Sequence, residues 1–264
     1  MDTLRHLLLR DIINRYCQFV SQSVNGVYLN DFVNNSLSVI SDDITDQIVN
    51  SDPVWRNNEK SSVGLSYKKT KYNLCIIDRN RKYKIYIGVN SIISRKNYML
   101  AKDLFVKNPL IKSMMTIEKD LYRIECCDYI TGITVRNFLE KEDYDNELSE
   151  YKNVDALYSL VETFVKSNYK PNNDNYIYYP NDNQSSNLLI INNTKPKIIL
   201  IDFDHIIKHE PNVMIDNFVE RFFAHITTFY KNAKIEPFWF DYINSNPIDV
   251  VKNHLRERLK NVYK

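Results

Sequence analysis

Two apolar runs joined by a short polar connector, NLLIINNTKPKIILIDFD at 187–204, constrain this chain more than any other segment. Residues 188–191 and 198–201 read as strands and the NTKPK stretch as the turn of a hairpin. Antiparallel pairing returns the end of the second strand to the start of the first. Asn187 stands just before the first strand and Asp202 just after the second, so the two meet at one end of the ribbon. Asp182 sits in the loop just outside.

Two carboxylates and a carboxamide at a strand terminus are a chemical combination as well as a structural one. Hard cations such as Mg²⁺ take a few protein oxygens and complete their shell with phosphate and water. An aspartate and an asparagine oxygen suit that role, and a second aspartate is then placed to orient a hydroxyl nucleophile for in-line phosphoryl transfer. The plainer reading is that Asp and Asn are turn formers wherever they occur. Asp204, two residues after Asp202, is a further candidate carboxylate on the metal side.

The rest of the chain divides into a strand-rich first part and a helical second part, with no internal repeat. Leu4, Leu7, Leu8, Ile12, Ile13, Tyr16, Phe19 and Val20 recur at helical spacing and predict a helix over about 3–22. Its stripe faces either the domain's own core or a protein partner. Residues 25–60 are mixed and polar, with a turn at SDP. Residues 61–90 read as strand, turn, strand, with DRNRK as the connection. A helix over SRKNYMLAKDLFVKN follows and ends at NP. Strands KSMMTIEK and LYRIECCDYI, a turn at Gly132 and a short helix complete the first part. Beyond an acidic run at 140–150, helices are predicted over VDALYSLVETFVKSN, 213–231 and 247–262, with the hairpin embedded between them.

Composition excludes several classes. Apolar residues make up 44% and charged residues 26%, the profile of a globular chain. The net charge of +2 carries no field that points to nucleic acid. Only four glycines occur, too few for a multi-glycine phosphate loop. The four cysteines show no metal-binding or disulfide spacing, which implies free thiols in a reducing, cytoplasmic compartment. No apolar run reaches the roughly 20 residues of a membrane helix, and the charged start does not read as a secretory leader.

The residues from 61 to about 230 resemble the protein-kinase-like superfamily, in particular its aminoglycoside phosphotransferase and choline kinase branch. The likeness rests on Asp182, then Asn187 five positions on, then LLII, then ILIDF with Asp202, preceded by a hairpin, a helix, a strand pair and IECCDYITGITVRNFL, which looks like a hinge. The resemblance implies an α+β, bilobal kinase-like fold. Residues 1–60 would form a helical extension, 61–128 a small β-rich lobe, and 129–264 a mainly helical lobe carrying the hairpin at 180–204. It implies ATP and Mg²⁺ as cofactors and a hydroxyl acceptor that is a small molecule, a sugar or lipid headgroup, or a protein. Asp182 would be the catalytic base, with Asn187 and Asp202 on the metal. Glu125 to Asp128, Cys127 included, would be the hinge that receives adenine. Lys84 or Lys96 would hold the phosphates. Pro180 replaces the family's histidine two residues before Asp182, the loop NDNQSSN has no basic residue, and the helix after Lys84 has no early glutamate. These departures fit the alternative, a pseudokinase that binds nucleotide or a protein as a regulatory module.

Other features are weaker. His205 and His209 are four apart but have no third ligand at metal spacing. NYIYYP before the loop packs on the strands or lines a substrate mouth. Phe238, Trp239, Phe240 and Tyr242 form either core or an aromatic cage for a cation. The basic C-terminal helix has a solvated face.

Overall fold

The computed structural model describes residues 3–23, 37–51, 65–78, 80–140, 154–192, 195–224, 246 and 248–263. The loop SSVGLS, the acidic run, His225 and the aromatic group at 238–242 fall wholly or largely outside the described residues. The fold is α+β, and it divides into two compact units: 1–96 with 109–130, and 97–108 with 131–264.

The first unit opens with two helices, α1 (Thr3–Ser23) and α2 (Leu37–Ser51). Within the expected helical extension the residue pattern assigns no helix to 25–60, and α2 adds one there. Ile40, Ile44 and Ile48 recur every fourth residue and are all buried. The surrounding Ser, Asp, Gln and Asn residues mask this stripe in a count of composition. Strands β1 (Ser66–Lys69), β2 (Leu74–Asp78), β3 (Arg81–Ile87), β4 (Met115–Glu118) and β5 (Tyr122–Asp128) form one antiparallel sheet in the order β1-β2-β3-β5-β4. Helix α3 (Val89–Leu104) follows β3, and the short α4 (Pro109–Ser113) precedes β4. Gly88, at φ +61°, takes the left-handed conformation that turns the chain from β3 into α3.

Strand alternation sorts the sheet into two unlike faces. Leu74, Ile76, Tyr83, Ile85, Ile87, Tyr122, Ile124 and Cys126 join Leu9, Ile12, Ile13, Tyr16, Ile44 and Ile48 in a single apolar core. Most of the α1 stripe is thereby taken up by the chain's own core, with Leu4 and Leu7 left exposed, and a protein partner for it finds no support here. Two polar contacts fasten the helices: the buried Arg5–Asp78 ion pair, and Tyr122 Oη donating to Asp43 at 2.6 Å. The other face carries Lys82, Lys84, Tyr86, Arg123, Glu125 and Cys127.

The second unit is mainly helical. Among the described residues it carries the end of α3 and helices α5 (Val135–Glu140), α6 (Val154–Asn168), α7 (Pro211–Phe223) and α8 (Ile248–Lys260). They bury Leu157, Val161 and Phe164 of α6, Ile215, Phe218 and Phe222 of α7, and Val251, Leu255 and Leu259 of α8. Each such side chain contributes about 1.5–3 kcal/mol of transfer free energy. Ion pairs run along the rim, among them Arg258 with Glu162 at 2.6 Å and Arg256 with Asp216 at 2.7 Å.

Among the described residues the unit also has two small antiparallel sheets. Strand β8 (Leu188–Asn192) pairs with β9 (Pro196–Leu200), the hairpin expected from sequence, and β6 (Ile133–Thr134) adds to its edge. Strand β7 (Ile177–Pro180) pairs with β10 (Ile206–His209), a ribbon that the sequence reading did not contain. Gly132 is required at its site: a Cβ there would lie 2.6 Å from the Ile190 carbonyl oxygen. Among the described residues, no helix is long and apolar enough to cross a membrane. All four cysteines are free.

Candidate functional site

The two ribbons of the second unit are consecutive in register. Ile206 pairs with Pro180 in one, and Leu188 with Leu200 in the other. Segments 181–187 and 201–205 therefore run side by side from one ribbon to the next. Two backbone bonds hold them: Asn181 N–H donates to His205 O, and Ile201 N–H to Asn187 O, both at 3.0 Å. This places Asp182 and Asn187 on one segment and Asp202 and Asp204 on the other.

Asn187 joins its own loop across the turn. Its carboxamide nitrogen donates to the Asp182 carboxylate at 3.1 Å and to the Asp182 carbonyl at 3.0 Å. Both bonds use the donor half of the amide, so its carbonyl oxygen is the atom suited to a hard cation. Asp202 Oδ1 accepts the Asp204 N–H at 3.4 Å. His205 follows at φ 57°, an uncommon conformation outside glycine that bends the chain into β10.

The walls of this loop are firm. Phe203 packs its ring on Phe105 with centroids 5.4 Å apart, and Asn108 donates its side-chain amide to Leu200 O at 2.9 Å. Asn183 is fully buried beside Asp182. Its amide donates to Pro180 O, and its oxygen accepts the Tyr169 hydroxyl at 2.6 Å. Burial holds the Tyr169 phenol well above its usual pKa, so it stays a donor at neutral pH.

In the first unit, Glu125 lies within β5, paired with Lys84 on β3 and with Thr116 on β4. Its carboxylate accepts from Ser94 Oγ of α3 at 2.7 Å, Arg123 Nε at 3.2 Å and Tyr86 Oη at 3.3 Å. Arg123 is bridged in turn to Glu118, which Arg95 of α3 also meets at 3.2 Å. The result is an ion network, buried at Arg123 and Glu125 and open to solvent at Glu118 and Arg95, that ties helix to sheet. Ser94 is the α3 side chain that reaches the glutamate. Lys96, two residues on and about 200° around the helix, is exposed.

Cys127 pairs with Lys82 on one side, while the β4 ladder ends at Cys126. The Asp128 N–H beyond it donates to Ser113 Oγ at 3.1 Å. Of the hinge segment expected from sequence, Glu125 and Cys126 thus have neighbouring strands on both edges, and Cys127 and Asp128 on one. Burial pushes the Cys127 thiol up, against the pull of Lys82, Lys84 and Arg81.

The expected site residues thus fall into two groups, Lys84 with Glu125 and Cys127 in one unit, and Asp182 with Asn187 and Asp202 in the other. Asn183, Tyr169, Ser94 and Arg123 escaped the sequence reading. Each is an ordinary residue type whose role comes from a buried bond, to a distant partner for Ser94 and Tyr169 and to near neighbours in sequence for Arg123. His205 precedes strand β10 and His209 is its last residue, so the two are not on a helical turn, and among the described residues no group of three or more His, Cys, Asp or Glu is arranged to hold a metal.

No family model matches the chain, and no curated protein matches it. Solved structures do. The chain is similar to the bifunctional kinase-methyltransferase WbdD, at 14% identity over 72% of this chain and 43% of that one, with a TM-score of 0.34. It is similar to a choline/ethanolamine kinase family protein from Mesorhizobium loti, at 13% identity over 85% and 94% of the two chains, with a TM-score of 0.37. Spectinomycin phosphotransferase APH(9)-Ia, solved with ADP and spectinomycin, matches at 12% identity over 76% and 89%, with a TM-score of 0.33. These structural neighbours are kinases and phosphotransferases. The chain spans less than half the length of the WbdD chains it matches. With TM-scores below 0.5, none of the three assigns a reaction or a residue role.

Proposed function

We propose that the chain is a kinase-like phosphotransferase that moves the ATP γ-phosphate to a hydroxyl acceptor with Mg²⁺. The observation that carries this reading is the loop bracketed by two ribbons. Its Asn187 bonds the Asp182 carboxylate, and its backbone is bonded to Ile201, next to Asp202. Asp182 would take or orient the acceptor's hydroxyl proton. Asn187 and Asp202 would hold Mg²⁺. The oxygen-only donor set fits that ion, which keeps water and phosphate oxygens as its other ligands. Bound there, the ion would neutralise charge on the phosphates. Lys84 would bind the phosphates, with Lys96, exposed on α3, as the alternative cation. The Cys127 and Asp128 backbone would receive the adenine. A small molecule, a sugar or lipid headgroup, or a protein side chain would serve as acceptor, and the reducing cytoplasm is the setting that four free thiols suit.

A second reading, a pseudokinase that binds nucleotide or a protein without turnover, has its own support. Helix α3 presents Ser94, not an acid, to the strand carrying Glu125, and the Glu125 carboxylate is engaged by Ser94, Tyr86 and Arg123. Calorimetric titration with ATP, with and without Mg²⁺, tests both. The enzyme reading expects Mg²⁺-dependent binding that is lost in Asp202→Ala and kept in Asp182→Ala. It also expects labelled phosphate to appear on one of a panel of hydroxyl acceptors, falling by about 10²–10⁴-fold in Asp182→Ala. Binding without transfer by the wild type supports a nucleotide-binding pseudokinase, and no response to nucleotide sinks the enzyme and favours the protein-binding module.

A further inference from the structure

The Asp182 loop is anchored by a side chain that no motif singled out. Asn183 follows Asp182 directly and has no measurable exposure. A carboxamide removed from water is tolerated when its polar atoms are bonded, and here both ends are. The nitrogen closes the turn onto Pro180 O, at the end of β7, and the oxygen receives the Tyr169 hydroxyl. Tyr169 is itself immobilised. Its ring meets Phe164 at 5.3 Å, Tyr179 at 6.1 Å, Phe105 at 6.2 Å and Phe218 at 6.3 Å. Its carbonyl accepts the Tyr263 hydroxyl at 2.7 Å. The wall of the helical core therefore ends in one hydroxyl aimed at the residue after Asp182.

We infer that Asn183, clamped by Tyr169, is the positioning residue that sets the conformation of the 181–187 loop and so the direction in which Asp182 presents its carboxylate. The inference rests on the phosphotransferase reading for its catalytic consequence, but the clamp itself is testable without turnover. With the turn between Pro180 and Asn183 closed, Asp182 lies at its outer corner, where the Asn187 amide reaches its carboxylate and its carbonyl together. Opening the turn would swing that corner. A misplacement of about 1 Å costs on the order of 100-fold in rate when a reacting group must be aligned.

The test uses the full chain with Tyr169→Phe, Asn183→Ala and the pair combined. Tyr169→Phe keeps the ring and its packing and removes only the hydroxyl. Hydrogen exchange, read residue by residue, should show faster exchange at the Asn181, Asn187 and Ile201 amides in each variant, while α6 and α7 keep wild-type protection. Transfer of labelled phosphate should fall by about 100-fold in kcat, with the Mg²⁺–ATP dissociation constant within about threefold, and the double variant should be no slower than Asn183→Ala alone, because both changes remove one device. Unchanged exchange at 181–187 in Tyr169→Phe overturns the clamp, even if the melting temperature falls. Faster loop exchange with unchanged kcat overturns its role in alignment. A wild type that transfers no phosphate refutes the functional reading instead, and the exchange measurement then still decides whether the clamp sets the loop.

Discussion

Replacing Glu125 by glutamine keeps the shape of the side chain and removes its charge, so it isolates the buried network between α3 and the sheet. The wild-type carboxylate accepts from Ser94, Tyr86 and Arg123. A glutamine has one acceptor oxygen in place of two and turns an NH₂ group toward donors. Arg123, about 1% exposed, then keeps Glu118 as its charged partner in this network. A hydrogen bond to a charged group is worth about 1.5–3 kcal/mol, and breaking a buried ion pair from one side costs about 3–5 kcal/mol. Glu118 retains part of the compensation, so about 2–3 kcal/mol is expected for Glu125→Gln. Urea unfolding followed by circular dichroism would show it as a lower midpoint at unchanged slope. Adding Arg123→Met removes the stranded cation, and the double variant should recover about 1–2 kcal/mol relative to additivity. A loss below about 0.5 kcal/mol, the size of an ordinary surface change, would refute the reasoning, because it would mean that the carboxylate is solvated and the network contributes nothing.

Three further outcomes are expected. Gly132→Ala should destabilise by about 1–3 kcal/mol, since its Cβ would meet Ile190 O at 2.6 Å; a stabilised variant in thermal unfolding would contradict that contact. Burial pushes the Cys17 thiol up to about 12. The stability gained by keeping it protonated is complete below the unfolded thiol's value of about 8.5 and is lost as pH rises from there toward 12, at up to about 1.4 kcal/mol per pH unit. Alkylation of Cys17 at pH 9 as fast in the native chain as in urea would disprove this burial. Asn108→Ala should cost about 1–2 kcal/mol by leaving Leu200 O without its side-chain donor; an unchanged urea midpoint would rule that bond out as a support of β9.

Local pattern settled much of this protein. The apolar period of α1, α6 and α8 and the two uniform runs of β8 and β9 are properties of neighbours in sequence, and they appear in the structure where spacing put them, whereas α3 starts at Val89 and ends at Leu104, short of the NP expected to stop it. The loop carrying Asp182, Asn187 and Asp202 was legible for the same reason: a hairpin with its polar ends at one edge is a local object. Helix α2 was hidden only by its polar majority, since the Ile40–Ile44–Ile48 repeat was present all along.

What spacing could not decide is every partnership between distant residues. The pairing of β7 with β10 joins residues some 26 positions apart at Pro180 and Ile206, and its short strands bear no signal stronger than that of a loop. Glu125 lies between β3 and β4 with Ser94 of α3 on its carboxylate, partnerships that no spacing announces. Asn183 is one asparagine among many until Tyr169, 14 residues away, meets it inside the core. Periodicity reports which face of an element is apolar, because that depends on the element alone. Which polar group is buried, and against what, depends on the packing of the whole unit, where a single bond to a far residue separates a stable position from a costly one.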